Sequence, residues 1–395
     1  MSIIPKSDRK FDVIVFGATG FTGRLVAEYL QAEYSHDVKW AMAGRSGEKL
    51  EAVRDEMGVA KDIPLIIADS ADADSLAAMA SLTKVVLTTV GPYQLYGTDL
   101  VGACVANGTD YVDLCGEPAW MRDIIDGYDG QAKESGARIV LSCGFDSIPF
   151  DMGVYFLQEE AKKRTGAAVE TVRGRVRQMK GTFSGGTAAS FKESMKRAMK
   201  EPYVLEWLKD PFSLTPDFEG VPQPAGHKPM EEADLGSWAA PFIMASINTK
   251  NVHRSNVLMD YAYGKDFKYS EMVLTGPGEQ GEKIAHHVAN DDSMSKNPPK
   301  PGEGPSKEER ETGFYDVMFV GDLKNGEKII AGVTGDKDPG YGSTSKMIAE
   351  AALTLAFDVP DSKTGGGVYT SAPAMGSALI DRLTEHAGLT FKIEA

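Results

Sequence analysis

Six short apolar runs recur between residue 11 and about residue 150, and helical patterns fill the gaps between them. The runs are 11–16 (FDVIVF), 38–43 (VKWAMA), 64–68 (PLIIA), 85–90 (VVLTTV), 111–114 (YVDL) and 138–142 (RIVLS). Apolar positions at helical spacing predict helices over 22–33, 47–57, 73–81, 97–107 and 119–135. Near-continuous apolar strands separated by helices indicate a parallel sheet covered on both faces. Residues 1–150 therefore read as an α/β domain with a doubly wound Rossmann sheet.

The pattern changes after Phe150. Residues 171–181 alternate polar and apolar, as a half-buried strand does. Residues 315–335 read as two strands around Asn325-Gly326, a strong hairpin signal because both positions favour positive φ. A second, α+β domain with a mixed or antiparallel sheet is expected over 151–340, carrying the substrate and a dimer contact. Residues 293–311 are rich in Pro, Lys and Glu and predict an exposed loop. Helical patterns at 344–358 and 377–389 predict a C-terminal segment, 341–395, packed back on the first domain.

The first apolar run ends in three glycines at steps of three, and a helix follows at once. Gly17 permits a tight turn, Gly20 lets backbone approach a pyrophosphate, and Gly23 lets the helix lie close to the sheet. Free amides and the helix dipole at such a turn favour phosphate. Gly17, Ala18, Thr19, Gly20, Phe21, Thr22 and Gly23 are thus candidates to hold a dinucleotide, the plainer reading being a glycine turn packed on a neighbouring loop. The second run ends in Gly44, Arg45 and Ser46, with no carboxylate for a ribose 2′-hydroxyl. A guanidinium there suits a 2′-phosphate, with Ser46 and Lys49 as further donors, so NADP(H) is expected rather than NAD. Arg45 as a solvated surface cation is the alternative. Asp69 either lines the adenine pocket or caps the helix that starts near Asp72. Thr89, Val90, Gly91 and Pro92 follow the fourth run and turn the chain across the crevice where such sheets bind ligands.

Charge and cysteine content narrow the partners. The chain has 395 residues, with 42 basic against 57 acidic and a formal charge of −15, which argues against nucleic acid. Three cysteines with no CxxC spacing read as a reduced, cytoplasmic protein. The first residues, MSIIPKSDRKFD, lack the apolar core of a signal peptide, and no run of about 18 apolar residues predicts a membrane span. Peripheral contact at the inner membrane face stays open.

Hydride transfer asks the protein for positioning and one proton donor. By position the candidates are Tyr93, Asp113, Glu117 and Asp146. Tyr93 comes first, because a phenol keeps its proton at neutral pH. Tyr93 and Tyr96 read equally well as edge packing, and Asp113 and Glu117 as acids favouring the helix start at Pro118. Cys143 reads as a small buried hydrophobe. Phe191, Met195 and Met199 read as core, and Gly185-Gly186-Thr187 as a helix start able to hold an anion. His286-His287 would point to opposite faces of a strand, and no metal site is expected.

"GATGFTGRLVAEYL", "AGRS", "TTVGPYQLYG", "YVDLCGE", "LSCGFDSIPFDMG", "SGGTAAS" and "DPGYGSTSKMIAEAAL" occur in this order. Together they resemble the saccharopine dehydrogenase-like oxidoreductases, in the branch of the trans-acting enoyl reductases. The resemblance implies a Rossmann domain, a mixed second domain, a returning C-terminal helix and nicotinamide-dependent reduction. It implies an acyl or lipid-like substrate, on a carrier or within an envelope lipid, and a homodimer is expected. Saccharopine itself would need several Arg or Lys in the substrate cleft, and "GATGFTG" departs from the GxGxxG spacing of the amino-acid enzymes. A true amino-acid dehydrogenase and a non-catalytic NADP(H)-binding partner of lipid metabolism are the alternatives.

Overall fold

All six residues of β1 (Phe11–Phe16) are buried, since a parallel strand with helices on both faces has no wet side. The computed structural model describes residues 3–34, 37–182, 184–291, 300, 303–323 and 325–395. The other expected strands form β2 (Trp40–Gly44), β3 (Leu65–Ile67), β4 (Thr83–Thr88), β5 (Asp110–Val112) and β6 (Arg138–Val140). They lie in the order β6-β5-β4-β1-β2-β3, all parallel, the arrangement of a doubly wound dinucleotide fold. A seventh strand, β13 (Gly367–Tyr369), extends this sheet beside β6. Its three residues are too few to show a period.

Seven strands make the second sheet: β7 (Thr171–Lys180), β8 (Met230–Glu232), β9 (Ser237–Pro241), β10 (Lys268–Gly276), β11 (Phe314–Asp322), β12 (Lys328–Gly335) and β14 (Leu389–Ile393). Their order is β14-β12-β11-β7-β10-β9-β8. Only the central β7–β10 pair is parallel, so the sheet is mixed. The helix Ile148–Thr165 runs across position 150 and carries the chain from one sheet to the other.

The β11–β12 hairpin differs from a two-residue turn. Leu323 N–H donates to Glu327 O at 2.8 Å, with Gly326 at φ +86°. Residues 293–299 and 301–302 of the expected loop lie outside the described residues, and its end forms a helix, Lys307–Thr312, with a capping box at Ser306. His286 and His287 sit on the helix Gly278–Ala289, not on a strand.

After β12 the chain returns to the first sheet. The helix Thr344–Leu353 packs against the helix Phe21–Tyr34 and against β4 and β5. The buried Glu350 carboxylate accepts the hydroxyls of Tyr29 at 2.6 Å and Tyr34 at 2.8 Å and pairs with Arg382 at 3.2 Å. This clasp ties the C-terminal segment to the helix that follows the glycine turn. Beyond it, β13 joins the first sheet and β14 the second.

Candidate active site

The glycine turn leaves β1 as its spacing demands. Gly17 has φ +88°, and a Cβ there would lie 2.7 Å from Val90 Cγ2. A Cβ on Gly23 would meet Gly17 O at 2.2 Å, so only glycine lets the helix Phe21–Tyr34 sit this close. Gly20 is exposed and a Cβ there would meet only Gly17 O, at 3.2 Å. Space therefore opens outward from Gly20, in front of the first amides of the helix, which have no carbonyl of their own turn to bond. Ala18, Thr19 and Thr22 complete the turn, and Thr89 is tied to it by Thr89 N–H to Phe16 O at 3.0 Å and Thr89 Oγ1 to Gly17 O at 3.3 Å.

Arg45 stands exposed at the end of β2, and no protein partner meets its guanidinium among the described residues. Lys49 is exposed on the following helix, Gly47–Glu56. The Ser46 hydroxyl is engaged as the cap of that helix, accepting Lys49 N–H at 3.4 Å. The cap near position 72 is Asp72 itself, which accepts from Asp74 N–H and Ser75 N–H. Asp69 instead closes its own turn, accepting Ala71 N–H at 3.0 Å. Ile67, 57% exposed, lies over Gly47 on the same rim; its apolar exposure is a feature the sequence reading missed. An open glycine turn, bare helix amides and an unpaired guanidinium fit the pyrophosphate and 2′-phosphate of NADP(H).

The three residues expected to supply acid chemistry are used by the fold. The Tyr93 hydroxyl donates to Thr88 O at 3.3 Å and accepts Leu114 N–H at 3.0 Å. Burial holds its pKa well above that of a free phenol. Asp113 accepts Cys115 N–H at 3.0 Å, Ser142 N–H at 2.8 Å and the Tyr111 hydroxyl at 2.9 Å, knitting the ends of β5 and β6 together. Glu117 accepts Tyr93 N–H at 2.8 Å and Gln94 N–H at 3.0 Å, and so caps the short helix Tyr93–Tyr96. In each of these groups the polar atoms already have protein partners, mostly backbone amides and carbonyls, which gives all three a structural role.

Between the two sheets lies a cavity of about 440 Å³. Its floor is the strand ends of the first sheet: Thr89, Gly91, Leu114, Gly116 and Gly144–Asp146. Its walls come from the helix Gly185–Lys200 and from Phe242–Ile247 and Tyr341. Gly91 approaches Ser190 across the gap, where a Cβ would lie 3.5 Å from Ser190 Oγ. Phe191 and Met195, expected in the core, are 42% and 40% exposed and line this cavity. The polar lining is mostly hydroxyls, among them Thr22, Ser184, Thr187, Ser190, Ser246 and Thr344, and no Lys or Arg lines the cavity among the described residues. The Gly185 start of the wall helix is occupied: Gly185 N–H donates to Glu303 O at 3.0 Å and Gly186 N–H to Ser184 Oγ at 3.2 Å.

Among the described residues one carboxyl lines this space. Asp146, at the end of β6, is half-buried in the cavity wall, and desolvation lifts its pKa to about 7. Sequence position named it beside Tyr93, Asp113 and Glu117; of these four, Asp146 and Tyr93 line the cavity. No metal-ligating cluster occurs among the described residues.

Residues 13–140 match the saccharopine dehydrogenase NADP-binding domain. A Mycobacterium tuberculosis protein provisionally named a trans-acting enoyl reductase is 42% identical over 95% of this chain and 96% of its own. The trans-acting enoyl reductase of Mycobacterium ulcerans is 38% identical over 96% of this chain and 97% of its own. Apo saccharopine dehydrogenase (L-Glu forming) of Saccharomyces cerevisiae shares the fold, with TM-score 0.53 and 11% identity over 98% of this chain and 100% of that one. Phosphate-ready turn, unpaired Arg45 and these relatives agree: the chain is an NADP-dependent oxidoreductase and belongs to the saccharopine dehydrogenase-like family, in its branch of trans-acting enoyl reductases.

Proposed function

We propose that this oxidoreductase saturates the carbon–carbon double bond of an enoyl group attached to a carrier or a lipid. One observation carries the reading: the cavity at the strand ends is apolar and hydroxyl-lined, with no cation among the described residues to meet a dicarboxylic substrate. The names of its relatives point the same way.

The residues Gly17–Gly23 and the first amides of the following helix would take the pyrophosphate. Arg45, with Lys49, would take the 2′-phosphate, and Thr89, Val90, Gly91 and Pro92 would border the nicotinamide. NADPH, held there, would supply the hydride for the β-carbon. Asp146 is assigned the proton for the α-carbon. A carboxyl with a pKa of about 7 is substantially neutral at physiological pH and can donate to a developing enolate. Hydride and proton together saturate the bond, and the Asp146 carboxylate regains its proton from water. The walls keep other water from the enolate. The same reading includes a cytoplasmic location at the inner membrane face and a homodimer, the latter checked by mass in solution.

The test is NADPH oxidation followed by absorbance. Enoyl thioesters of rising chain length should consume NADPH, and glutamate with an aldehyde should not. Consumption with glutamate and an aldehyde would overturn the reading in favour of an amino-acid dehydrogenase. Tight NADPH binding with no turnover on any enoyl substrate would favour a non-catalytic partner.

A further inference from the structure

The helix Gly185–Lys200 carries two parallel stripes. Phe191, Met195 and Met199 recur every four residues and share one face. Phe191 and Met195 line the cavity, and Met199, one turn further on, is 76% exposed. The apolar stripe therefore leads from the cavity to open surface. Beside it run Lys192, Lys196 and Lys200, one position on at the same spacing and all exposed. Lys196 pairs with Glu193, while Arg197 is held by Asp123 at 2.6 Å and Glu201 at 3.0 Å. Lys192 and Lys200 make no ion pair among the described residues. The helix Pro202–Lys209 continues the surface with exposed Tyr203 and Leu205.

We infer that this face docks on an anionic lipid surface, with Met199 entering the acyl boundary and the lysines meeting lipid phosphates. The chemistry is that of an interfacial helix: apolar side chains on one side, snorkelling cations along the edge. Charge fixes the orientation. Residues 185–209 hold five basic and three acidic residues, whereas the whole chain carries −15. An anionic bilayer therefore repels the molecule in other orientations and attracts it through this face. Docked so, the mouth of the cavity opens on the bilayer, and a lipid-linked chain passes from one apolar medium to another without crossing water. An acidic protein would also match the lysines; the exposed Tyr203 and Leu205 extend the apolar face past the cavity mouth, which favours a lipid surface.

This inference rests on the lipid-like substrate of the proposed function, and its test is independent of turnover. The full chain is sedimented with vesicles of phosphatidylcholine alone and of phosphatidylcholine with phosphatidylglycerol. Binding is expected only to the anionic vesicles and is released by salt. A Met199→Ser, Lys192→Glu, Lys200→Glu variant should bind about tenfold or more weakly, while its NADPH affinity and its turnover of a short soluble enoyl thioester stay at the wild-type level. Absence of wild-type binding to anionic vesicles, or equal binding by the variant, overturns the inference. So does capture by an acidic acyl-carrier domain in place of vesicles, or a dimer in solution that the variant converts to monomer. If vesicles bind as expected but no enoyl substrate turns over, the docking stands and the proposed reaction falls.

Discussion

Glu117 and Tyr93 meet through the backbone: the carboxylate accepts Tyr93 N–H at 2.8 Å, and the phenol turns away to Thr88 O and Leu114 N. Two residues suited to acid–base work thus hold a turn in place. Tyr93→Phe is expected to change turnover less than about threefold and to cost about 1 kcal/mol of stability, the worth of a buried hydrogen bond. Steady-state NADPH oxidation and denaturant unfolding check both. A large loss of kcat in a stable Tyr93→Phe would restore the phenol as the acid.

The proposed reaction gives the proton to Asp146 instead. Asp146→Asn should lower kcat about 10²- to 10⁴-fold, the range of general acid catalysis, with little change in NADPH affinity. Because the neutral carboxyl donates, wild-type kcat should fall as pH rises through about 7. A pH-independent kcat across that range would contradict the assignment.

Burial also makes stability depend on pH. Desolvation lifts Asp146 to about 7, Asp151 to about 6 and Glu271 to about 8, whereas free carboxyls titrate near 4. Between these limits the folded chain holds protons that the unfolded chain has released, so stability falls as pH rises from about 4 to about 8. Thermal unfolding over this range should show a declining Tm, with a shallower slope in Asp146→Asn. A Tm that climbs throughout would contradict the burial of these groups.

The glycine turn was legible because its residues answer to backbone geometry alone: Gly17 and Gly23 sit where a Cβ would collide with a neighbouring atom. Arg45 was legible because a strand end is a fixed place in this fold. The cavity was not. Phe191, Met195 and Met199 have the spacing of a core face, and helical period cannot say whether that face meets protein or an open cleft. Glu117 and Asp113 read both as candidate acids and as helix-start carboxylates, because carboxylates at strand ends serve chemistry and capping alike, and their hydrogen-bond partners are not legible in the sequence. The strand β13 was hidden by its length, and the surroundings of Asp146 by walls contributed by distant stretches, residues 184–195, 242–247 and 339–344.

Arg45→Ala should raise the Kd for NADPH about 10- to 100-fold, as expected for losing a charge-assisted phosphate contact, and leave that for NADH nearly unchanged. Fluorescence titration with both cofactors reads the difference. Equal losses for the two would place the guanidinium away from the 2′-phosphate.

Phe191→Ala enlarges the cavity wall without touching the strand ends. KM for long enoyl thioesters should rise, and kcat and the KM for short ones should hold, because the lost contact is made equally in ground and transition states. A kcat loss on short substrates would mean that Phe191 shapes the reacting centre itself.

The central claim is that hydride passes from NADPH to an enoyl carbon in this cleft. Incubation with NADPH deuterated at the transferable C4 position and an enoyl thioester, followed by mass spectrometry of the acyl product, tests it most directly. The account predicts one deuterium at the β-carbon and a solvent-derived proton at the α-carbon. Recovery of unlabelled, unreduced thioester from protein saturated with the labelled cofactor would contradict it.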